Sequence, residues 1–321
     1  MTRRLLLPLL LGLSLQATSA AGEPDSVGGW LSAMSKAVHS LDYEGTFIYL
    51  HDDQLEAMRV VHTVDADGER ERLISLNGAA REVVRDNASV TCIAPDSRSV
   101  SVGRRIGGSG MRAVYSMDVD ALSSWYDFRL AGNTRVAGRS TQVVAILPRD
   151  AFRYGYRLYL DQGNALPLKT DLLDTDSDDA ISQIMFTSLT LGSDAPAPSL
   201  VTLDGSEHYA WTQRLPMRTA ATGGWVFNDL PDGYQVTLHS RSPVRPGRPQ
   251  IDHFVLSDGL ASASVYIEPA ATGEGWNGGS QMGAVNAFGR MVDGYQVTVV
   301  GSVPSATVER IARGARRGMA Q

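Results

Sequence analysis

In this sequence apolar side chains repeatedly fall at every second position, and each such run stops at residues able to take a positive φ. The runs 46–50, 57–64, 70–76, 81–84 and 89–93 are separated by an Asp-Ala-Asp-Gly turn at 65–68, by Asn77-Gly78 and by Asp86-Asn87. A period of two sends alternate side chains to opposite faces of a strand, and Asn-Gly or Asp-Gly pairs close tight hairpins. This pattern predicts an antiparallel meander. Runs at 129–136, 142–147, 153–160, 166–173 and 181–189 extend it, with turns at Gly138-Arg139, 162–164 and 174–179. Helix spacing occurs twice nearby, through Trp30, Leu31, Met34 and Val38, and through Val119, Leu122, Trp125 and Tyr126 over 118–128. Residues 103–112 mix glycine with arginine and read as a basic loop. About ten strands, two helices and no βαβ alternation predict a mostly antiparallel α+β fold. Its centre is one large, unclosed, strongly curved sheet, an open β-barrel with helices on its concave side and an apolar hollow between them.

A length of 321 residues favours two domains, and the composition breaks where a boundary is wanted. Residues 192–199 are rich in Pro, Ala, Ser and Gly and carry no period, so the linker is set at 192–205, between a large domain at 24–191 and a smaller one at 206–317. The second domain shows strands at 226–227, 234–238, 251–256, 261–267 and 295–300, then a basic helix at 305–317. Residues 1–21 read as a secretory signal: Arg3 and Arg4, an apolar stretch from Leu5 to Leu15, then small residues for cleavage. That stretch is too short to span a bilayer. The expected location is outside the cytoplasm, as a soluble exported protein.

Charge and motifs exclude more than they assign. The net charge is −6 from 29 basic and 35 acidic residues, and loss of Arg3 and Arg4 makes the mature chain more acidic still. Bulk electrostatic binding to nucleic acid is therefore not expected. The single cysteine, Cys92, lies in an alternating stretch and has no partner within the chain, leaving a buried or half-buried strand thiol or an intermolecular disulfide. Gly273, Gly275 and Gly278 form G-x-G-x-x-G, but the chain beyond is too short for a βαβ unit. Asp174, Asp176 and Asp178 resemble a calcium loop, yet Asp179 stands where the turn glycine belongs. The six histidines show no ligand spacing, and no nucleophile elbow occurs. No catalytic residue, metal or cofactor is expected.

Several blocks are more specific together. They are Glu71-Arg72-Leu73 with Arg81-Glu82-Val83-Val84-Arg85, Ser124-Trp125-Tyr126-Asp127, Ala165-Leu166-Pro167-Leu168-Lys169, and Ser257-Asp258-Gly259-Leu260-Ala261-Ser262. Ile267-Glu268-Pro269 follows, then Asn286-Ala287-Phe288-Gly289-Arg290 and the run from Gly294 to Gly301. In this order, across nearly the whole mature chain, they resemble the RseB/MucB family. The resemblance implies a periplasmic regulator of the envelope-stress sigma factor, with a large domain similar to the open barrels of LolA and LolB. It implies as partner the periplasmic domain of a membrane-bound anti-sigma factor, shielded from site-1 proteolysis until a lipid or lipopolysaccharide fragment weakens the shield. The residues themselves also suit a periplasmic lipid or lipoprotein carrier, and they leave monomer and homo-oligomer both open.

For the cavity, Phe47, Tyr49, Trp125, Tyr126, Tyr154 and Tyr156 combine apolar area with polar tips. For the partner, Arg241, Arg245 and Arg248 lie in a Pro-rich basic stretch, with Arg290 and Arg310 as further candidates. An acyl chain contributes roughly 0.8 kcal/mol per buried CH₂. Coupling two sites requires only about 1–3 kcal/mol.

Overall fold

The computed structural model describes residues 24–104, 110–175, 177, 179–192, 209–213, 224–243, 250–270 and 275–318. It opens with helix α1 (Val27–Ser40), whose first free N–H groups include that of Gly29, bonded at 3.1 Å by the side chain of the N-cap Ser26. Trp30, Leu31, Met34, Ala37 and Val38 form its buried stripe, as the spacing requires.

Six strands follow as a meander: β1 (Tyr43–His51), β2 (Gln54–Asp65), β3 (Gly68–Ser75), β4 (Glu82–Arg85), β5 (Ser89–Ala94) and β6 (Ser99–Arg104). After a 3-10 turn (Gly110–Ser116) and the one-turn helix α2 (Val119–Leu122), a second meander returns. Its strands are β7 (Tyr126–Val136), β8 (Arg139–Pro148), β9 (Gly155–Asp161), β10 (Pro167–Leu173) and β11 (Ala180–Leu191). β11 pairs with β1, and β12 (Ala210–Gln213) adds to β6 in parallel, so one sheet runs β12-β6-β5-β4-β3-β2-β1-β11-β10-β9-β8-β7. Among the described residues its two ends, β12 and β7, are not paired with each other. α1 touches both β2 and β7, strands six places apart in that order, which requires the sheet to curl around the helix. Hairpin chemistry sets the register: Asp52 and Asp53 both hold positive φ, 47° and 57°, at the β1–β2 turn.

The second domain contains β13 (Trp225–Phe227), β14 (Gln235–Pro243), β15 (Gln250–Ser257), β16 (Ser262–Pro269), β17 (Gly278–Met282), β18 (Val285–Val292), β19 (Tyr295–Gly301), helix α3 (Ser305–Gly314) and β20 (Ala315–Arg317). Six of its strands form an antiparallel sheet in the order β14-β15-β16-β19-β18-β17, while β13 pairs with β20. α3 lays Val308, Ile311 and Ala312 on the sheet, over Val265, Val297 and Val299 in one apolar core.

Four expectations need correction. The helix expected over 118–128 stops at Leu122, because the Ser123 hydroxyl turns back to the Asp120 carbonyl and the aromatic-rich segment from Tyr126 enters the sheet instead. Residues 210–213, assigned above to the second domain, belong by pairing to the large sheet: Trp211 lies opposite Val100. The helix expected to reach 317 ends at Gly314, where a β-carbon would overlap the Asn228 carbonyl; there the chain becomes β20. Strands β6, β17 and β18 were not anticipated. Gly275, just before β17, is a packing device, since a β-carbon there would overlap Gln296 and Met291.

Candidate functional site at the domain seam

The two domains meet around the short loop between β8 and β9. Asp150 accepts a hydrogen bond from the Phe152 amide at 2.9 Å, an Asx-type turn that projects Phe152 and Arg153 toward the small domain. Arg153 is fully buried, 0% exposed. Its Nε donates to Asp258 Oδ2 at 2.6 Å, Nη1 pairs with Asp150, and Nη2 donates to the Asp232 carbonyl. The guanidinium stands 5.3, 5.8 and 5.1 Å from the ring centres of Trp125, Tyr126 and Tyr234. A buried cation is tolerated only when paired and hydrogen-bonded, and here both conditions hold, with residues of the two domains supplying the partners.

Asp258 is equally enclosed. One oxygen accepts the amides of Leu260 and Ala261 at 2.8 and 2.7 Å; the other takes Arg153 and the Tyr126 hydroxyl, the latter at 3.1 Å. The Ser-Asp-Gly-Leu turn of the small domain thus presents a fixed carboxylate to the large one. Gly233, at φ +82°, lies flat under Trp125, where a β-carbon would come within 2.5 Å of the indole. Tyr234 and Thr307 donate to the Phe152 carbonyl at 3.2 and 2.8 Å, Asn286 donates to the Tyr154 hydroxyl at 3.0 Å, and Arg310 stacks 4.8 Å from the Phe152 ring centre.

The electrostatics follow from burial and from Asp258. Burial alone lowers the proton affinity of Arg153, but the hydrogen bonds and charges of Asp258 and Asp150 outweigh it and raise its pKa. Burial, then the Asp258 charge, lifts the phenols of Tyr126 and Tyr234 well above their ordinary range, and Tyr156 is raised for the same two reasons. The seam is thus a buried guanidinium, Arg153, among acidic side chains and phenols whose protons are held tightly, with Arg310 at its rim. It holds two bodies together by geometry.

Of the six rings proposed for the hollow, four therefore meet at the seam: Trp125, Tyr126 and Tyr154 around the loop, and Tyr156 in a cleft of about 260 Å³ with Leu260, Ala261, Ser264, Val300 and Gly301. Phe47 and Tyr49 stand apart on β1. Phe47 packs edge-on to Phe186 at 5.9 Å, and Tyr49 lies 4.5 Å from His51, its phenol raised first by burial and bonded to Ser182. Phe47, Tyr126, Tyr154 and Tyr156 are buried in one core with Trp30 and Met34 of α1, so the concave side of the sheet is occupied by the helix in this conformation. Of the arginines, Arg310 reaches the seam, Arg241 pairs with Asp252 on the small sheet at 2.8 Å, and Arg290 lies at the far end of α3. Arg245 and Arg248 fall outside the described residues, as do the signal segment and most of the expected linker. Arg153 and Asp258 were missed as a pair. The available signals were a lone arginine inside the aromatic run 152–156 and the turn residues of Ser-Asp-Gly-Leu, but their meeting across 105 positions has no local trace.

A curled open sheet and a second β domain, joined by a buried ion pair, define a two-domain β protein. The chain belongs to the MucB/RseB family: the model for the MucB/RseB N-terminal domain matches residues 26–204 and that for the C-terminal domain residues 219–316. It is 34% identical over 313 residues to the sigma factor AlgU regulatory protein MucB of Pseudomonas aeruginosa, covering 95% of this chain and 94% of that protein. It is 28% identical over 321 residues to the sigma-E factor regulatory protein RseB of Escherichia coli K12, covering 98% and 97%. The structure of the Pseudomonas aeruginosa MucA/MucB complex matches with a TM-score of 0.71 at 32% identity, over 92% of this chain and 99% of that one. A crystal structure of MucB matches at 0.64 and 33%, over 91% and 98%. Among the described residues no helix is long and apolar enough to cross a membrane.

Proposed function

We propose that the mature chain is an exported, periplasmic, noncatalytic regulator that binds the periplasmic region of a membrane-bound anti-sigma factor and restrains the sigma-E-type envelope-stress response. The observation that carries this reading is likeness through both domains to MucB, a protein solved in complex with MucA. In this reading the chain shields its partner from site-1 proteolysis, and a lipid or lipopolysaccharide fragment relieves the shield. The seam supports such a switch, because any ligand that favours another arrangement of the lobes must break the Arg153–Asp258 contact. Phe47, Tyr49, Trp125, Tyr126, Tyr154 and Tyr156 are the side chains proposed to meet the acyl chain once α1 yields. Arg241, Arg245, Arg248, Arg290 and Arg310 are those proposed for the partner.

The test is capture of the cognate anti-sigma periplasmic segment by the purified mature chain, followed by exposure of the complex to the site-1 protease with and without lipid. Protection without lipid and cleavage with it is the expected result. Transfer of labelled lipid to acceptor vesicles without any protection would identify a carrier instead.

A further inference from the structure

At the end of α3 farthest from the seam, three guanidiniums crowd together. Arg290 of β18 donates Nη1 to the Arg313 carbonyl at 3.0 Å, and Arg316 of β20 donates its Nη1 to the same oxygen. Two full charges from separate elements thus end within two hydrogen-bond lengths of each other. A third, Arg313, leaves the same residue; its Nε sits 2.8 Å from Glu309 and its plane lies 5.7 Å from the Phe288 ring centre. Beside them Arg317 stacks at 5.0 Å on Tyr295. Burial, then the charges of Arg316 and Arg313, holds the Arg290 guanidinium below its usual pKa.

Elsewhere in this acidic chain an arginine in a cross-strand pair meets its own carboxylate, as Arg72 meets Glu82, Arg85 meets Glu71 and Arg241 meets Asp252. Among the described residues, the one carboxylate paired with this cluster is Glu309, and it engages Arg313. The helix C-terminus supplies about half an elementary charge, too little to balance the cluster. We propose that Arg290 and Arg316, with the Glu309-paired Arg313 beside them, form a binding site for a doubly charged oxyanion of the phosphate class, a phosphomonoester headgroup or free phosphate. A single carboxylate is saturated by one guanidinium fork; two forks converging from different elements suit a tetrahedral group with three acceptor oxygens. The Arg290 and Arg316 arms are already held by the shared carbonyl, and Arg313 by Glu309 and the Phe288 ring, so little order is lost on binding. The site goes beyond the regulatory reading above and stands whether or not the chain binds an anti-sigma factor.

The test uses the full mature chain, titrated calorimetrically with inorganic phosphate and separately with phosphatidylcholine vesicles with and without phosphatidic acid. Binding of phosphate, or of the phosphatidic acid vesicles over phosphatidylcholine alone, is expected. The double variant Arg290→Gln/Arg316→Gln should weaken it about tenfold or more, and Arg129→Gln on the exposed face of β7 should not. Phosphate that competes with the vesicles identifies the headgroup as one source; phosphate binding without vesicle binding identifies the free ion as the source. If the double variant loses its thermal transition, the exposed Arg316→Lys, which keeps charge but removes the fork, replaces it and should lose affinity. Undiminished binding by a folded variant, or no binding of either probe, overturns the proposal. So does binding of a polyglutamate peptide with neither phosphate probe, which would make the face an acidic-peptide surface. Capture of the anti-sigma segment, measured in parallel, keeps failure here separate from failure of the regulatory reading.

Discussion

Arg153 shows how one side chain can decide the relation of two domains. Its charge is worth keeping only while Asp258 and Asp150 face it, and Asp258 in turn is held by two backbone amides of its own turn. Removing one partner of a buried pair costs about 3–5 kcal/mol, because the other charge stays behind without solvent. Arg153→Met is therefore expected to lower stability by about that amount, and Asp258→Asn by a similar one. The two changes together should cost clearly less than their separate costs combined, since neither charge is then stranded. Urea denaturation of the four proteins measures this; strict additivity would mean that the pair is not coupled. Tyr126 and Tyr234 add ring faces and hydroxyls to the same cation, which is why their loss is expected to matter less than loss of the carboxylate.

At the scale of elements, α1 occupies the concave side of the large sheet with five buried residues. Met34, 1% exposed, lies in the same core as Val60, Val144 and Leu158, and its replacement by Ala should cost about 2–5 kcal/mol in thermal or urea unfolding. In the small sheet, His253 of β15 stacks on Tyr266 of β16 at 4.5 Å and bonds to Ser264 at 3.1 Å. Burial first, and then His239, lowers its pKa below the ordinary histidine value. The unfolded chain therefore takes up this proton before the folded one, so stability is full above about pH 6.5 and declines as the pH falls below it. His253→Gln should flatten that decline in a series of melting curves; an unchanged slope would assign the acid sensitivity to other groups. Elements of this kind were largely legible. The period of two located most strands and the Trp30–Val38 stripe gave α1, because alternation and helix spacing are local properties. The misses have non-local causes. Segment 278–292 has little apolar alternation and becomes two strands by pairing onto β19, and 210–213 joins β6 from more than a hundred residues away. The aromatic candidates rest on size and polarity, which are local, whereas sequence cannot tell a ring facing the hollow from one facing another domain.

At the scale of the molecule, the seam sets how much work a ligand must do. Opening the seam returns both Arg153 and Asp258 to water, so it costs less than the about 3–5 kcal/mol of stranding one of them, and burial of about half a dozen methylenes at roughly 0.8 kcal/mol each matches that upper bound. A single acyl chain entering beneath the sheet therefore has enough energy to oppose the clasp, provided that it binds better to the opened arrangement than to the closed one. Weakening the clasp beforehand should then make lipid more effective, because less of its binding energy is spent on opening. In the proposed regulatory role, Arg153→Met is expected to move the lipid concentration that half-releases the protected anti-sigma segment downward by at least about tenfold, the change that 1.4 kcal/mol of clasp energy produces. Ile267→Ala, a 1% exposed side chain in the small-domain core away from α1 and Arg153, provides the comparison at a similar loss of stability. A protease-protection titration with one lipid, run on wild type and both variants, separates the outcomes. If Arg153→Met alone shifts the midpoint, release proceeds through the lobes; if both variants shift it equally, general softening explains the effect. If neither does, lipid acts without moving the domains, and the ion pair between Arg153 and Asp258 serves stability alone.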